Sequence, residues 1–301
     1  MSARERLEKE NGRCRGFIGG KKEEQACAKW IQEGLRTEVL TKLTADQVGC
    51  LNNIFFIPKK NGKFRQIVDC RPLNAALKDV HFKMDVHRTV EKLLQKEDWT
   101  TSLDLSQAYY LIPVHREFSP FLAFHFRGDF FGFRGMPFGY KDATSVFTKV
   151  MRKVMIQERK RWRVRCVTYL DDILQLHQYR NYLRAATKVI EEWLGQLGLL
   201  VNMEKSKLQP KRHFDYLGWR WDSEQMTVRQ EDQQRRKLRQ QCVKWMKWVK
   251  RCKIVKVRDY ASFIGPLSAT RFVFRDASLF MNRWDAVLNR GVRDSGWYGE
   301  A

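Results

Sequence analysis

Acidic residues are scarce in this chain: 34 Asp and Glu stand against 57 Lys and Arg, a formal net charge of +23 over 301 residues. A surplus of that size points to a polyanionic partner before any acidic small molecule, and nucleic acid is the first candidate. An uninterrupted apolar run of about 18 residues is missing, as is a signal-like start, which argues against a membrane partner. The expectation is a soluble, intracellular chain, with cytoplasm and nucleus not separable. The seven cysteines, Cys14, Cys27, Cys50, Cys70, Cys166, Cys242 and Cys252, are scattered, odd in number and free of any C-x-x-C pair. That excludes a disulfide framework and a zinc knuckle and leaves reduced thiols. The six histidines form no close-spaced cluster that would suggest zinc. Internal repeats and long low-complexity tracts are absent as well.

What is present is enough apolar residue, 43%, to build sizeable cores in two domains or one multi-lobed unit. Residues 1–25 mix charge with Gly12, Gly16, Gly19 and Gly20 without sustained periodicity, and read as a flexible segment or the cut end of a longer polyprotein. From Asn53 to Asp69 the pattern is strand, basic Asn-Gly turn, strand, a hairpin with a cationic tip. Trp99 to Tyr110 reads as a strand ending near Asp104 and turning into a short helix. Phe121 to Phe133, split by Arg127-Gly128-Asp129, gives a second hairpin. A helix follows Pro137-Phe138-Gly139, with Asp142 as its cap and Val146, Phe147, Val150, Met151 and Val154 at helical spacing. Apolar runs 166–170 and 173–176 flank Asp171-Asp172 and place both acids in a tight hairpin turn. Tyr182, Ala186, Val189, Ile190, Trp193, Leu194 and Leu197 repeat at helical spacing up to Gly198. A strand pair spans Phe214 to Val228. Beyond it, residues 229–253 carry ten Lys or Arg against two acids over a Leu238, Cys242, Trp245, Val249 stripe. A domain boundary is expected near 223.

Phosphoryl transfer to a 3'-hydroxyl calls for two hard cations about 3.5 to 4 Å apart, and magnesium takes oxygen ligands while keeping several waters. Asp104 at one strand end and Asp171 and Asp172 at a neighbouring turn can converge on such a pair, with the Leu105 carbonyl as a further ligand. An isolated Asp-Asp is more often an ordinary solvated turn; the apolar strands on both sides are what fix this one in position.

Tyr169-Leu170-Asp171-Asp172, the upstream Leu103-Asp104-Leu105-Ser106-Gln107-Ala108-Tyr109 and the intervening Met136-Pro137-Phe138-Gly139 resemble, in order and spacing, the central motifs of retroelement reverse transcriptases. The resemblance extends to 58–65 and 69–74 in the fingers, to 198–208 in the palm, to the primer grip Asp215-Tyr216-Leu217-Gly218-Trp219 and to the thumb run 262–267. It covers roughly residues 30 to 275. Residues 202–206 and the thumb run look most similar to DIRS-like elements, with gypsy-like retrotransposons and pararetroviruses close behind.

The resemblance implies an α/β (α+β) right-hand fold with fingers, a palm sheet carrying the acids and a helical thumb. Fingers would comprise 26–79 and 113–143, palm 80–112 and 144–222, thumb 223–301. It implies that Asp104, Asp171 and Asp172 are the catalytic acids holding two Mg2+, with Mn2+ as a substitute. Lys59, Arg65, Leu105, Ser106, Gln107, Ala108, Tyr109, Phe138, Gly139 and Lys205 would line the nucleotide site. Lys59 and Arg65 would hold the triphosphate as point charge and planar fork, though alone they fit a solvated basic turn equally well. Tyr109 would exclude a 2'-hydroxyl, although an aromatic there is more often core. Phe138 stands where many retroviral relatives carry glutamine, which puts nucleotide selectivity in doubt. Lys205 matches a lysine proposed to protonate departing pyrophosphate, against a plain surface role. Tyr216, Leu217, Gly218 and Trp219 would form the primer grip. Arg235, Arg236, Lys237, Arg239, Lys244 and Lys247 would follow the duplex backbone, or form one solvated helical face.

The expected partners are an RNA template, a DNA or RNA primer, the RNA-DNA hybrid and deoxynucleotides. Ribonuclease H, recombinase or integrase domains would lie outside this chain. Two rival readings stay open: an RNA-dependent RNA polymerase, against which Tyr109 argues, and a catalytically silent nucleic-acid-binding relative, against which the full set of acids argues.

Overall fold

The computed structural model describes residues 14–299 except 15, 60, 61, 63, 79, 81, 83, 85, 86 and 275. The start of the N-terminal segment and most of the basic turn of the first hairpin lie outside the described residues. The chain divides into two compact units, one made of residues 1–85, 101–175 and 181–209, the other of 86–100, 176–180 and 210–301.

In the first unit, strand β1 (Phe17–Ile18) pairs in parallel with β3 (Asn53–Pro58). The antiparallel partner of β3 is β4 (Phe64–Asp69), in register Ile54 with Val68 and Ile57 with Arg65, which is the hairpin expected from the alternating pattern. A second sheet orders β2 (Leu40–Leu43), β7 (Asp129–Phe133) and β6 (Ala123–Phe126). Of the expected break Arg127-Gly128-Asp129, only Arg127-Gly128 form the β6–β7 turn, with φ of 50° and 90°, the double positive φ that matches the twist of paired strands, while Asp129 in β7 already pairs with Phe126. Helix α1 (Lys21–Arg36) packs on these sheets through Cys27, Ile31 and Trp30. Phe56, Phe124 and Phe133 surround the Trp30 ring at 5.8 to 6.0 Å. Burying rings of this size contributes much of what holds so small a sheet pair together.

A four-stranded sheet follows in the order β10 (Lys207–Lys211), β5 (Trp99–Asp104), β9 (Asp172–His177), β8 (Arg165–Tyr169). Short helix α2 (Arg71–Ala76) and helix α3 (His87–Leu93) precede it in the chain. Helix α4 (Ala143–Trp162) runs where expected, but its buried face is Ala143, Phe147, Met151, Met155 and Glu158, while Val150 is exposed. Asp142 sits at the N-cap position without capping; its carboxylate accepts from the Tyr140 hydroxyl at 3.2 Å. Helix α5 (Arg180–Gln196) ends as expected just before Gly198, whose φ of +81° admits the left-handed residue that closes a helix. Its buried stripe is Leu183, Ala186, Thr187, Ile190 and Leu194, so Tyr182, Val189 and Leu197 face solvent instead of the core. In both helices apolar residues outnumber the positions that packing can cover, so spacing alone could not choose the face.

In the second unit the expected strand pair is a three-stranded meander: β11 (His213–Tyr216), β12 (Trp219–Asp222) and β13 (Thr227–Gln230). The run hid two turns. Leu217-Gly218 is a two-residue turn with both φ positive, 53° and 78°, and Tyr216 pairs with Trp219 across it. Phe272 packs within 5.7 Å of Trp219 and Trp221 and 4.1 Å of His87. The basic helix α6 (Asp232–Lys250) is followed by α7 (Val257–Ala269) and α8 (Ala277–Ser295). They share a small core of Trp245, Phe263, Ile264 and Met281, with Phe263 stacked on Trp245 at 4.8 Å. Of the stripe expected on α6 only Trp245 is buried; Val249 is exposed.

Candidate active site

Strand β5 delivers Asp104 at its last residue, and the β8–β9 hairpin delivers Asp171 in the turn but Asp172 at the first residue of β9, where the sequence pattern places both acids in the turn. Because β5 and β9 are neighbours in the sheet, the three acids lie at the same sheet end. A main-chain bond closes that end, Leu105 N donating to the Asp171 carbonyl at 2.9 Å. The turn is tight enough to force Leu170 to φ +55°, in the left-handed region that costs a branched side chain about 1–2 kcal/mol. The Thr168 hydroxyl donates to the Leu170 carbonyl at 3.2 Å and helps hold it. Asp104 is fixed from the other side by the loop after α5: its amide donates to Ser206 Oγ at 3.0 Å, and its carbonyl accepts from Asn202 N at 2.7 Å. From the same loop Lys205 places its ammonium 3.1 and 3.2 Å from the two carboxylate oxygens of Asp104.

Below Asp104 the chain turns through Ser106 and Gln107, the latter at φ +49°, into a 3-10 turn at Ala108–Leu111. Leu105, Ala108 and Tyr109 are buried, whereas Gln107 and Gly139 are exposed. The Tyr109 ring stacks on Phe147 at 4.8 Å and meets Phe138 at 4.4 Å. Phe138 is 43% exposed, so an aromatic face is presented to solvent next to Tyr109. Gly139 has φ +104°, and a Cβ there would stand 2.1 Å from the Val68 carbonyl, so only glycine fits. Lys59 and Arg65 lie exposed on the β3–β4 hairpin. The residues expected to form a primer grip and the six α6 cations expected to follow a duplex belong to the second unit. There Tyr216 and Trp219 are core residues and Leu217-Gly218 form the turn.

A family model described as Reverse transcriptase (RNA-dependent DNA polymerase) matches residues 57–221, more than half of the chain. The chain belongs to the reverse transcriptase family. The Gag-Pro-Pol polyprotein of Human T-cell leukemia virus 3 (strain Pyl43) is 28% identical over 53% of the chain and 12% of its own length. The Transposon Tf2-3 polyprotein of Schizosaccharomyces pombe is 27% identical over 69% of the chain and 15% of its own length. The chain therefore spans only a small part of these polyproteins. Among solved structures, a foamy viral protease-reverse transcriptase in complex with double-stranded DNA covers 95% of the chain, and 46% of its own, at TM-score 0.71 and 18% identity. That likeness bears on fold, and the mixed helix-and-sheet architecture is a right-hand polymerase fold. No helix among the described residues is long and apolar enough to cross a membrane.

The electrostatics of this candidate site follow from placing three carboxylates near one another. Asp172 is pushed up to about 6, first by desolvation from the protein around it, then by Asp171 and Asp104, with Lys205 pulling the other way. Asp171 is raised as well, by burial and by Asp104, against a backbone hydrogen bond and Lys205. Desolvation and mutual repulsion disfavour charge on Asp171 and Asp172, and the side-chain donors that Asp104, Asp171 and Asp172 offer are carboxylate oxygens. That set fits hard divalent cations such as Mg2+ or Mn2+ and lacks the imidazole or thiolate that zinc would draw on.

Several residues that hold the site were not singled out from sequence. Asn74 donates to the Gly139 carbonyl at 2.8 Å and accepts from Lys141 N at 2.9 Å, tying the 138–141 loop to α2. The Lys141 ammonium donates to the Leu77 carbonyl at 2.8 Å. Gln66 on β4 donates to the Tyr110 hydroxyl, and Tyr110 meets Phe138 edge-on at 6.2 Å. Long-range partnerships between single polar residues leave no periodic trace, so pattern reading had no signal for them.

Proposed function

We propose that this domain is an RNA-directed DNA polymerase that extends a DNA or RNA primer on an RNA or DNA template with deoxynucleotides. The convergence of Asp104, Asp171 and Asp172 at one sheet end carries this reading. These carboxylates, with the Leu105 carbonyl, would hold two Mg2+ ions. Bound there, the ions would activate the primer 3'-oxygen and neutralise charge on the triphosphate. The protein's own contribution is positional. The closed strand ends hold the acids, and buried Tyr109 stacked on Phe147 forms a rigid floor suited to rejecting a 2'-hydroxyl. Ser106, Gln107, Ala108, Phe138 and Gly139 would shape the nucleotide site, with Lys59 and Arg65 supplying charge to the triphosphate. Lys205, already hydrogen-bonded at the acids, is suited to give a proton to departing pyrophosphate.

We assign fingers to 26–79 and 113–143, palm to 80–112 and 144–222, and thumb to 223–301. The Leu217-Gly218 turn would grip the primer end, and Arg235, Arg236, Lys237, Arg239, Lys244 and Lys247 would follow the duplex backbone, giving affinity that falls steeply with salt. The deciding test is Mg2+-dependent primer extension with deoxynucleotides on RNA, comparing wild type with Asp104→Asn and Asp171→Asn. Loss of at least about 10³-fold in both, with duplex binding retained, is the expected outcome. Extension that survives both substitutions overturns the assignment of the acids, and equal use of ribonucleotides would turn the reading toward an RNA polymerase.

A further inference from the structure

Beneath the acids, on the helix-covered face of the sheet, lies a hydrogen-bonded chain of polar side chains that no step above uses. Thr101 of β5, Gln175 of β9, Glu158 of α4 and Thr187 of α5 are each 2% exposed or less. The Thr101 and Thr187 hydroxyls both donate to Gln175 Oε1 at 2.9 Å, and the two hydroxyl oxygens lie 2.8 Å apart. Gln175 Nε2 donates to Glu158 Oε1 at 2.9 Å, and Glu158 Oε2 is buried. Four polar side chains removed from water are costly unless paired, and an apolar set would fill the same space without that cost.

Their placement along the strands is what matters. Thr101 is four residues before Leu105 and Gln175 four residues after Asp171, the two residues whose main-chain bond closes the site. The same two strands are therefore tied twice, at the acids and again about 13 Å behind them. Side chains alternate along a strand, so Thr101 and Leu103 share the helix side while Asp104 points to the other face. The network thus reaches the acids through the strand backbones, without contact. Around it, Arg159 donates to the Cys166 carbonyl at 2.7 Å, and the Cys166 thiol faces the Met155 carbonyl at 3.9 Å. Burial pushes Glu158 up to about 7, with Gln175, Arg159 and Cys166 pulling it down.

We propose that the buried Glu158–Gln175–Thr101–Thr187 chain is a positioning network that fixes the offset between β5 and β9, and through it the spacing of the carboxylates that hold the cations. The inference rests on the reading of Asp104, Asp171 and Asp172 as cation ligands. Its test is Mn2+ binding by the 301-residue chain, read as loss of the free-ion electron paramagnetic resonance signal, with Asp171→Asn as the control that defines the site. The paired substitution Thr101→Val with Thr187→Val keeps volume and removes both donors to Gln175. Affinity for Mn2+ is expected to fall roughly tenfold, and Thr101→Ser with Thr187→Ser is expected to restore it. Valine variants that lose thermal stability while binding Mn2+ as wild type does would overturn the proposal. So would serine variants as weak as the valine ones, since the hydroxyls would then not be what counts. Should the valine pair fail to fold, Thr187→Val alone carries the same expectation at a smaller size, and unchanged affinity overturns it. Mn2+ binding that needs Asp171 and these hydroxyls in a chain that extends no primer would uphold the network and reject the polymerase reading. Binding indifferent to Asp171→Asn would overturn both.

Discussion

Replacing Asp172 by Asn should stabilise the protein at pH 7 while removing its activity. The carboxylate of Asp172 is raised from 3.8 to about 6 because desolvation and its two acidic neighbours disfavour the charged form. A raised carboxylate costs the folded state stability wherever it is ionised there: the penalty is full above about pH 6 and gone below 3.8, where folded and unfolded states are both protonated. At 1.36 kcal/mol per unit the shift would correspond to about 3 kcal/mol. Asp172 is exposed, however, and screening by water cuts that to about 1 kcal/mol. For a chain of 301 residues the gain amounts to a rise of about 1–2 °C in Tm. The assay is urea unfolding of wild type and Asp172→Asn at pH 7 and pH 4 in chelator, repeated with Mg2+. The variant should be the more stable at pH 7, the gap should close by pH 4, and Mg2+ should narrow it by stabilising wild type through binding. A variant that is less stable at pH 7, or an advantage that persists unchanged at pH 4, would show that the acids are not a repulsive cluster held open for cations.

Lys205→Ala should change stability by less than about 1 kcal/mol, because an exposed ammonium gains little from an ion pair, yet slow single-turnover extension about 10²-fold if it supplies a proton. Gly139→Ala forces a Cβ against the Val68 carbonyl at φ +104° and should cost about 2–4 kcal/mol in urea unfolding. Gly62→Ala meets open space at φ +75° and should cost only about 1 kcal/mol. Trp245→Ala removes the ring on which Phe263 and Ile264 pack and should cost about 3–5 kcal/mol, read as faster amide exchange in α7 and α8.

The elements that sequence placed well are those whose own residues dictate them. Arg127-Gly128 demands a two-residue turn, the apolar runs on either side of Asp171-Asp172 demand paired strands, and Gly198 demands a helix end. Each is decided within a few residues. The misplaced helix faces failed for a physical reason: α4 and α5 carry apolar residues on more sides than the sheet can cover, so the choice between Val150 and Met155, or Val189 and Thr187, is made by what packs against them. Thr187 makes the point most sharply. A polar residue at a core position looks like an error in the pattern until Gln175 and Thr101 are seen to meet it, and that meeting depends on strand order, which the local pattern does not encode. The three acids of the candidate site were legible because the chemistry proposed for them constrains residue type and place together. Their supports were not, since a buried hydrogen bond requires only that two polar groups meet, and many sequences meet that requirement in ways that leave no motif. The division predicts where substitutions will be tolerated: the acids should accept no exchange, whereas the Thr101, Gln175 and Glu158 positions should accept other polar sets that keep β5, β9 and α4 tied by paired buried hydrogen bonds.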